Sequence, residues 1–342
     1  MLPRQVLPRQ FYLITRRCTQ RQFLLRPDEA TNNAFLYCLA VAALRTGVRV
    51  LFAAAQSNHH HTGIFDPLGK YPDFIEHFHK LLAKCMNALR GRWENFWSSE
   101  QTSVVRLVDA GDVLDKMVYA LTNPVKDNLV AKVADWPGVN AFESIMNDGS
   151  MTAVRPDFFF REDGPMPATV TLTFLRPPEF ANMAAEEFAG TLRARVEAVE
   201  AEAEARRRAT GARVLGRQGV LDQDWRGSPS SPAPRRELCP RVAAKNKWSR
   251  IEALRRNKEF GHFYRTAFEA FRRGVKDVFF RRERSGCGVL RPRSASPGRP
   301  LAAPLPERRS PPDRASRANR PSFLRLLPNQ WPTSARVAGG FG

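Results

Sequence analysis

The sequence predicts an α+β fold, an antiparallel sheet with helices packed on one face. Two observations carry this. Short apolar, β-branched runs alternate with longer stretches of helical spacing over roughly the first 165 residues. Glycines and prolines fall between those runs, where turns are needed.

The elements follow in order. Phe11 to Arg17 (FYLITRR) reads as a strand. Asp28 to Arg45 reads as a helix, with Asp28 or Thr31 placed to cap it and Gly47 to end it. Val48 to Ala55 is a second strand, and residues 59 to 65 (HHHTGIF) a third. Pro67, Gly69 and Pro72 interrupt the chain before a helix from Phe74 to Leu89, whose apolar stripe is Phe74, Phe78, Leu81, Leu82, Cys85 and Leu89. Phe96 to Val108 alternates as a fourth strand, and Val113 to Asn123 forms a short helix stopped by Pro124. The order β-α-β-β-α-β plus a final helix is the ferredoxin-like split βαβ arrangement. A fold alone licenses no function.

Beyond this core, residues 166–226 form an extension, in which Val170 to Phe174 suits an extra strand and Met183 to Arg208 a long charged, exposed helix. Residues 227–240 (GSPSSPAPRRELCP) have linker composition, and 241–280 return to a basic helical periodicity. The stretch 281–342 holds 13 arginines, no lysine, 10 prolines and three acids. It is expected to be disordered, because it lacks the apolar surface to order itself. Its composition also suits GC-rich DNA read in an unselected frame.

The formal net charge is +20. Such an excess favours a polyanionic partner, nucleic acid before membrane. The N-terminal residues lack the apolar region of a secretory signal, and Arg45 and Arg49 interrupt the most apolar stretch. Five cysteines without a Cys-x-x-Cys pair argue against a disulfide framework or a cysteine zinc site. A cytoplasmic, non-membrane protein is the expectation.

Five of the six histidines lie between residues 59 and 79, three of them consecutive. Side chains alternate along a strand, so His59 and His61 share a face and His60 points the other way. Two imidazoles on one face can bind one cation, and a third ligand must come from elsewhere. Tyr119 and Asn123 stand one turn apart, off the apolar stripe Leu114, Met117, Val118 and Leu121. An asparagine carbonyl is a hard ligand for Mg²⁺ or Mn²⁺, and imidazole suits Mn²⁺. A tyrosine beside such a cation can attack a phosphodiester as a covalent nucleophile. No P-loop or similar nucleotide motif is present, so no nucleotide cofactor is expected.

These residues resemble the HUH tyrosine transposases, which include the REP-associated tyrosine transposases and the small insertion-sequence transposases that move as single strands. That group carries Asn-His-x-His; this chain has Asn58-His59-His60-His61. The group's last catalytic helix carries Tyr-x-x-x-Asn-Pro-Val-[Arg/Lys]-x-x-Leu-Val; here it reads Tyr119-Ala-Leu-Thr-Asn123-Pro124-Val125-Lys126-Asp-Asn-Leu129-Val130. Weaker echoes are Phe96-Trp97 and Trp136-Pro137. The resemblance covers residues 1–150 and implies an HUH endonuclease core. It implies Tyr119 as nucleophile and His59, His61 and Asn123 as metal ligands for Mg²⁺ or Mn²⁺. It further implies single-stranded or hairpin DNA from flanking repeats as substrate, with the tyrosine acting in cis or supplied by a homodimer partner. Three positions depart from the pattern: His60 replaces an aliphatic residue, and Gln56-Ser57 replaces Met-Pro.

Arg16, Arg17, Lys80, Lys84, Arg90, Arg92 and Lys126 are the expected DNA contacts. The function expected is metal-dependent DNA transposition through a 5′-phosphotyrosine. Rival readings are a domesticated repeat-DNA-binding protein without cleavage, or an HUH relaxase or replication initiator. A relaxase places its tyrosine differently, and no helicase motif is visible. A hydrolytic zinc enzyme lacks an acidic base near the histidines.

Overall fold

Strand pairing organises the first half of the chain. β1 (Gln10–Arg17), β2 (Arg49–Gln56), β3 (His59–Asp66) and β4 (Ser103–Leu107) hydrogen-bond in the order β2-β3-β1-β4, every pair antiparallel. With α1 (Glu29–Thr46) between β1 and β2, and α2 (Tyr71–Leu89) between β3 and β4, this is the ferredoxin-like α+β arrangement. The computed structural model describes residues 3–147, 149–231, 240–275 and 278. The chain divides into units Met1–Pro292 and Arg293–Gly342, and the described residues lie in the first. The stretch expected to be disordered, and most of the expected linker, lie outside the described residues.

Local chemistry sets the helix ends. The Asp28 carboxylate accepts the Thr31 N–H at 2.8 Å, and Gly47, in the left-handed region at φ 71°, closes α1. α1 is buried from Ala34 through Ala42 save Leu36, because α2, the sheet and a hairpin of β5 (Ser150–Val154) and β6 (Thr169–Thr173) surround it. α2 buries Phe74, Phe78, Leu82 and Cys85 at helical spacing. His60, pointing to the α1–α2 face, touches Phe35 and Phe78 with ring centroids 5.7 and 5.3 Å away.

Three elements differ from expectation. The fourth strand begins at Ser103; Phe96 and Trp97 are buried separately, Trp97 bridging to Cys18. α3 (Ala110–Leu121) ends at Thr122, and Asn123 opens a separate short helix, α4 (Asn123–Lys126). α3 also lies across the sheet from α1 and α2, on the His59–His61 face. After α5 (Phe142–Met146) and the hairpin comes α6 (Ala185–Thr210), which is not exposed all round: Phe188, Leu192, Val196 and Ala203 are buried, and the helix packs on α3 and α4. Those four residues form one stripe in a helix otherwise dominated by Glu and Arg.

Segments from later in the chain line both edges of the sheet. Along β2, Ala55 N–H donates to Val139 and Ala141 N–H to Ala53, at 2.8 and 2.9 Å. Trp136 Nε1–H adds a bond to the Ala55 carbonyl at 3.0 Å. After α7 (Gly216–Leu221), β7 (Val242–Ala243) pairs parallel with β4, making the sheet mixed. α8 (Lys247–Arg272) follows. Cys18, Cys38 and Cys85 are buried free thiols. Among the described residues, no helix is long and apolar enough to cross a membrane.

Candidate metal and tyrosine site

The β2–β3 hairpin turns through Ser57 and Asn58, so β3 opens directly on the histidine triplet. His61 lies opposite Thr15 on β1 and Ala54 on β2; His59 lies opposite Arg17 and Gln56. Residues opposite one another in an antiparallel ladder share a face. His59, His61, Thr15 and Arg17 therefore project together, toward α3 and α4.

The two imidazoles are oriented from behind. His59 Nδ1 is 2.7 Å from Asn58 Oδ1, and His61 Nδ1 is 2.8 Å from Thr15 Oγ1. Asn58 Oδ1 only accepts, so His59 carries its proton on Nδ1 and leaves Nε2 as a lone pair. Both Nε2 atoms converge on Asn123 Nδ2, at 3.2 Å from His59 and 3.1 Å from His61. That amide nitrogen has two hydrogens, one for each lone pair, which places the His61 proton on Nδ1 as well.

Asn123 reaches this point because the helix breaks just before it. Thr122 leaves α-helical geometry at φ −88°, ψ 1°, its hydroxyl donating to the Val118 carbonyl at 2.7 Å. Pro124, whose missing N–H costs nothing in a first turn, follows Asn123 in α4. Asn123 is buried, 7 % exposed.

Burial holds the site neutral. It pushes His59 down to about 4, helped by the Arg17 charge, and drives His61 well below the usual imidazole range, with His59, His60 and Lys116 adding repulsion. Two uncharged nitrogen lone pairs thus meet at one buried point where a hydrogen-bond donor stands. A half-turn of the Asn123 amide puts its carbonyl oxygen there instead, giving a donor set of two imidazoles and one amide oxygen. That set fits a small divalent cation such as Mn²⁺ or Mg²⁺. Among the described residues no three His, Cys, Asp or Glu side chains gather around a common point. The Asn123 amide is the third donor beside the two histidines.

Tyr119, one turn before Asn123, packs edge-on to His61 with ring centroids 5.5 Å apart, yet remains 40 % exposed. Lys116 Nζ and Lys126 Nζ stand over its ring, 5.4 and 4.9 Å from the centroid. Burial, ahead of the neighbouring charges, lowers the Lys126 ammonium below its usual range.

The remaining predicted residues divide. Arg17 sits at the rim beside His59, ion-paired to Glu100 at 3.2 Å. Arg16 goes to the opposite face, where its guanidinium meets His79 Nδ1 at 3.0 Å and lies over Trp97; burial lowers it below the usual arginine range. Arg90 is turned inward, bonded to Asp28 at 2.9 Å and to the Thr31 hydroxyl at 2.8 Å, tying the end of α2 to the start of α1. Arg92 bonds Gln22 at 3.3 Å, and Lys80 and Lys84 are on α2, behind the sheet. The pocket therefore gathers His59, His61, Asn123, Tyr119 and Lys126, with Arg17 at its edge, and none of the other five.

His60 has a separate role. It is fully buried and its Nε2 lies 3.0 Å from His79 Nε2, its Nδ1 3.0 Å from Thr62. The sequence reading did not single out Thr15, Asn58 as an orienting group, His79 as a buried partner, or Lys116. Only Lys116, three residues before Tyr119 on the same helix, has a spacing that could have marked it.

No protein-family model matches the chain, and no curated protein matches it. Among solved structures, it is similar to a REP-associated tyrosine transposase bound to a REP hairpin, at 15 % identity, over 48 % of this chain and 92 % of that one, with a TM-score of 0.37. A likeness of that degree carries no functional weight; the geometry of the site does.

Proposed function

We propose that this chain is a metal-assisted DNA strand transferase that nicks single-stranded or hairpin DNA through Tyr119. One observation carries the reading. Two neutral His Nε2 lone pairs and the Asn123 amide meet at a single buried point, and the half-exposed ring of Tyr119 packs on one of those histidines. A divalent cation bound there supplies Lewis-acid polarisation of a phosphodiester.

The chain's own residues do the rest. Asn58 and Thr15 fix the imidazole tautomers, and the break at Thr122 presents Asn123 to both rings. Tyr119 Oη forms a bond to phosphorus as the P–O3′ bond breaks; the phenolic proton ends on the released 3′ oxygen. The products are a 5′-phosphotyrosine and a free 3′-OH, and attack by a 3′-OH reverses the step with no nucleotide consumed. Tyrosine and ligands meet within one chain, which favours action in cis. The net charge of +20 suits a DNA partner.

The test is a hairpin oligonucleotide from the gene's flanking repeats, incubated with Mn²⁺ or Mg²⁺ and run on a denaturing gel. A metal-dependent covalent band is expected from the native chain and absent from Tyr119→Phe and His61→Ala. A band surviving Tyr119→Phe would overturn the assignment. Tight binding with no band under any metal would identify a binding protein that does not cleave.

A further inference from the structure

Two ammonium groups share one aromatic ring at the mouth of the site, and the ligand pocket gives no reason for it. Lys116 comes from the middle of α3 and Lys126 from the end of α4, yet both Nζ atoms stand over Tyr119. Both side chains are half-buried. Among the described residues neither has a carboxylate within ion-pair distance. The nearest acids are otherwise engaged or offset: Asp115 is held by Arg195 and Lys245, and Glu202 and Asp127 act on Lys126 only beyond ion-pair distance, Asp127 being shared with Arg206.

Bringing two like charges together in a partly desolvated place is unfavourable. The cost is offset when an anion lies between them. The phenol oxygen belongs to the ring that both cations cover, so an anion in line with that oxygen is within reach of both flexible stems. Lysine suits such a seat: a compact point charge with three rotatable donors.

We propose that Lys116 and Lys126 form a two-cation seat for the non-bridging oxygens of the phosphodiester beside Tyr119. The inference rests on the reading of Tyr119 as nucleophile, and it adds Lys116 as a substrate contact. As the phosphorus takes on a fifth oxygen, negative charge on the non-bridging oxygens grows, and two adjacent cations favour that state over the bound ground state.

The test separates this seat from the proposed reaction. The native chain, Lys116→Met, Lys126→Met and the double variant are titrated with fluorescein-labelled single-stranded (dT)20 in EDTA over a range of NaCl. Met keeps the stem and the helix propensity while removing the charge. Each lost phosphate contact lowers the slope of log K against log[salt] by about 0.7, and the double variant by about twice that. Lys70→Met is the control: it removes the same formal charge beyond the far end of β3, after Asp66, and is expected to leave the slope unchanged.

An unchanged slope in Lys116→Met and Lys126→Met overturns the seat, whatever the chain cleaves. So does an equal fall in Lys70→Met, which would mean diffuse charge alone. The reduced slope with no covalent band from the native chain keeps the seat and rejects the tyrosine reaction. Where the band forms, Lys116→Met is expected to slow its single-turnover appearance at saturating DNA at least tenfold, with Lys116→Arg recovering most of the rate.

Discussion

Gly63→Ala puts a general rule and a local fact in opposition. Gly63 lies on β3 two residues past His61, on the same face, directly opposite Phe52 of β2. A Cβ at 63 would fall 2.0, 2.3 and 2.5 Å from the Phe52 ring carbons Cε1, Cζ and Cδ1. Carbon atoms rest about 3.5–4.0 Å apart, so the ring would have to move by roughly 1.5 Å. Phe52 is fully buried and has no solvent to swing into. Replacing glycine in a strand ordinarily stabilises by roughly 0.4–1 kcal/mol through the unfolded chain. Overpacking a core costs about 1–3 kcal/mol. The second effect is larger, so the net expectation is a loss of about 1–2 kcal/mol. For a chain of 342 residues, with an unfolding entropy of about 2.1 cal/mol/K per residue, that lowers Tm by roughly 1.5–3 °C. Circular-dichroism melts and urea titrations measure it, with the midpoint falling at constant m. Phe52→Leu in the same background should restore part of the loss, giving a favourable interaction term of about 1 kcal/mol in the double-mutant cycle. A Gly63→Ala variant that melts higher than the native chain would refute the packing argument.

Two further outcomes follow from the site's surroundings. His59, His60, His61 and His79 are all held below the ordinary range, burial being the largest cause in each. The fold keeps them unprotonated, while the unfolded chain takes up protons below about pH 6.5. The unfolded state then binds more protons, so stability is present above about pH 6.5 and declines as pH falls toward the depressed values, about 4 for His59. Calorimetry in EDTA between pH 7.5 and 4.5 should show Tm falling, and less steeply in His60→Leu/His79→Leu; a flat profile contradicts the account. Leu192, fully buried on α6, should cost about 2–4 kcal/mol on truncation to Ala but under about 1.5 kcal/mol on change to Met, read from urea midpoints.

What the sequence disclosed was local. Strand periodicity separated His59 and His61 from His60, and the i to i+4 spacing marked Tyr119 and Asn123 as neighbours, although the helix breaks at Thr122 between them. Those are properties of a few neighbouring residues. The destinations of the arginines were not legible, because they depend on which helix covers which face: Arg16 and Arg17 are adjacent in sequence, yet one reaches His79 behind the sheet and the other the pocket rim. The break at Thr122 was legible only as a stop at Pro124, since a proline one residue on can end a helix or open the next. The buried stripe of α6 was masked by its Glu and Arg content; its four buried residues, spread over 26, look like surface until a partner is in place. β7 is two residues long and pairs with a strand more than 130 residues earlier, which no window of sequence can show.

The closure of the two sheet edges bears on how the protein is made. Every residue of the proposed site lies before residue 127, and β2 and β4 are both in place by residue 107. The backbone groups along the outer side of β2 find partners only when residues 139–141 and Leu175 exist, and those of β4 only when 241–243 do. On the ribosome the nascent chain must therefore carry a nearly finished sheet with an open edge until the segment at 241–243 has been made. Open edges invite pairing with other chains. A fragment cut after the last site residue would hold all of the chemistry and be prone to clump, and the useful minimal piece runs at least through Ala243.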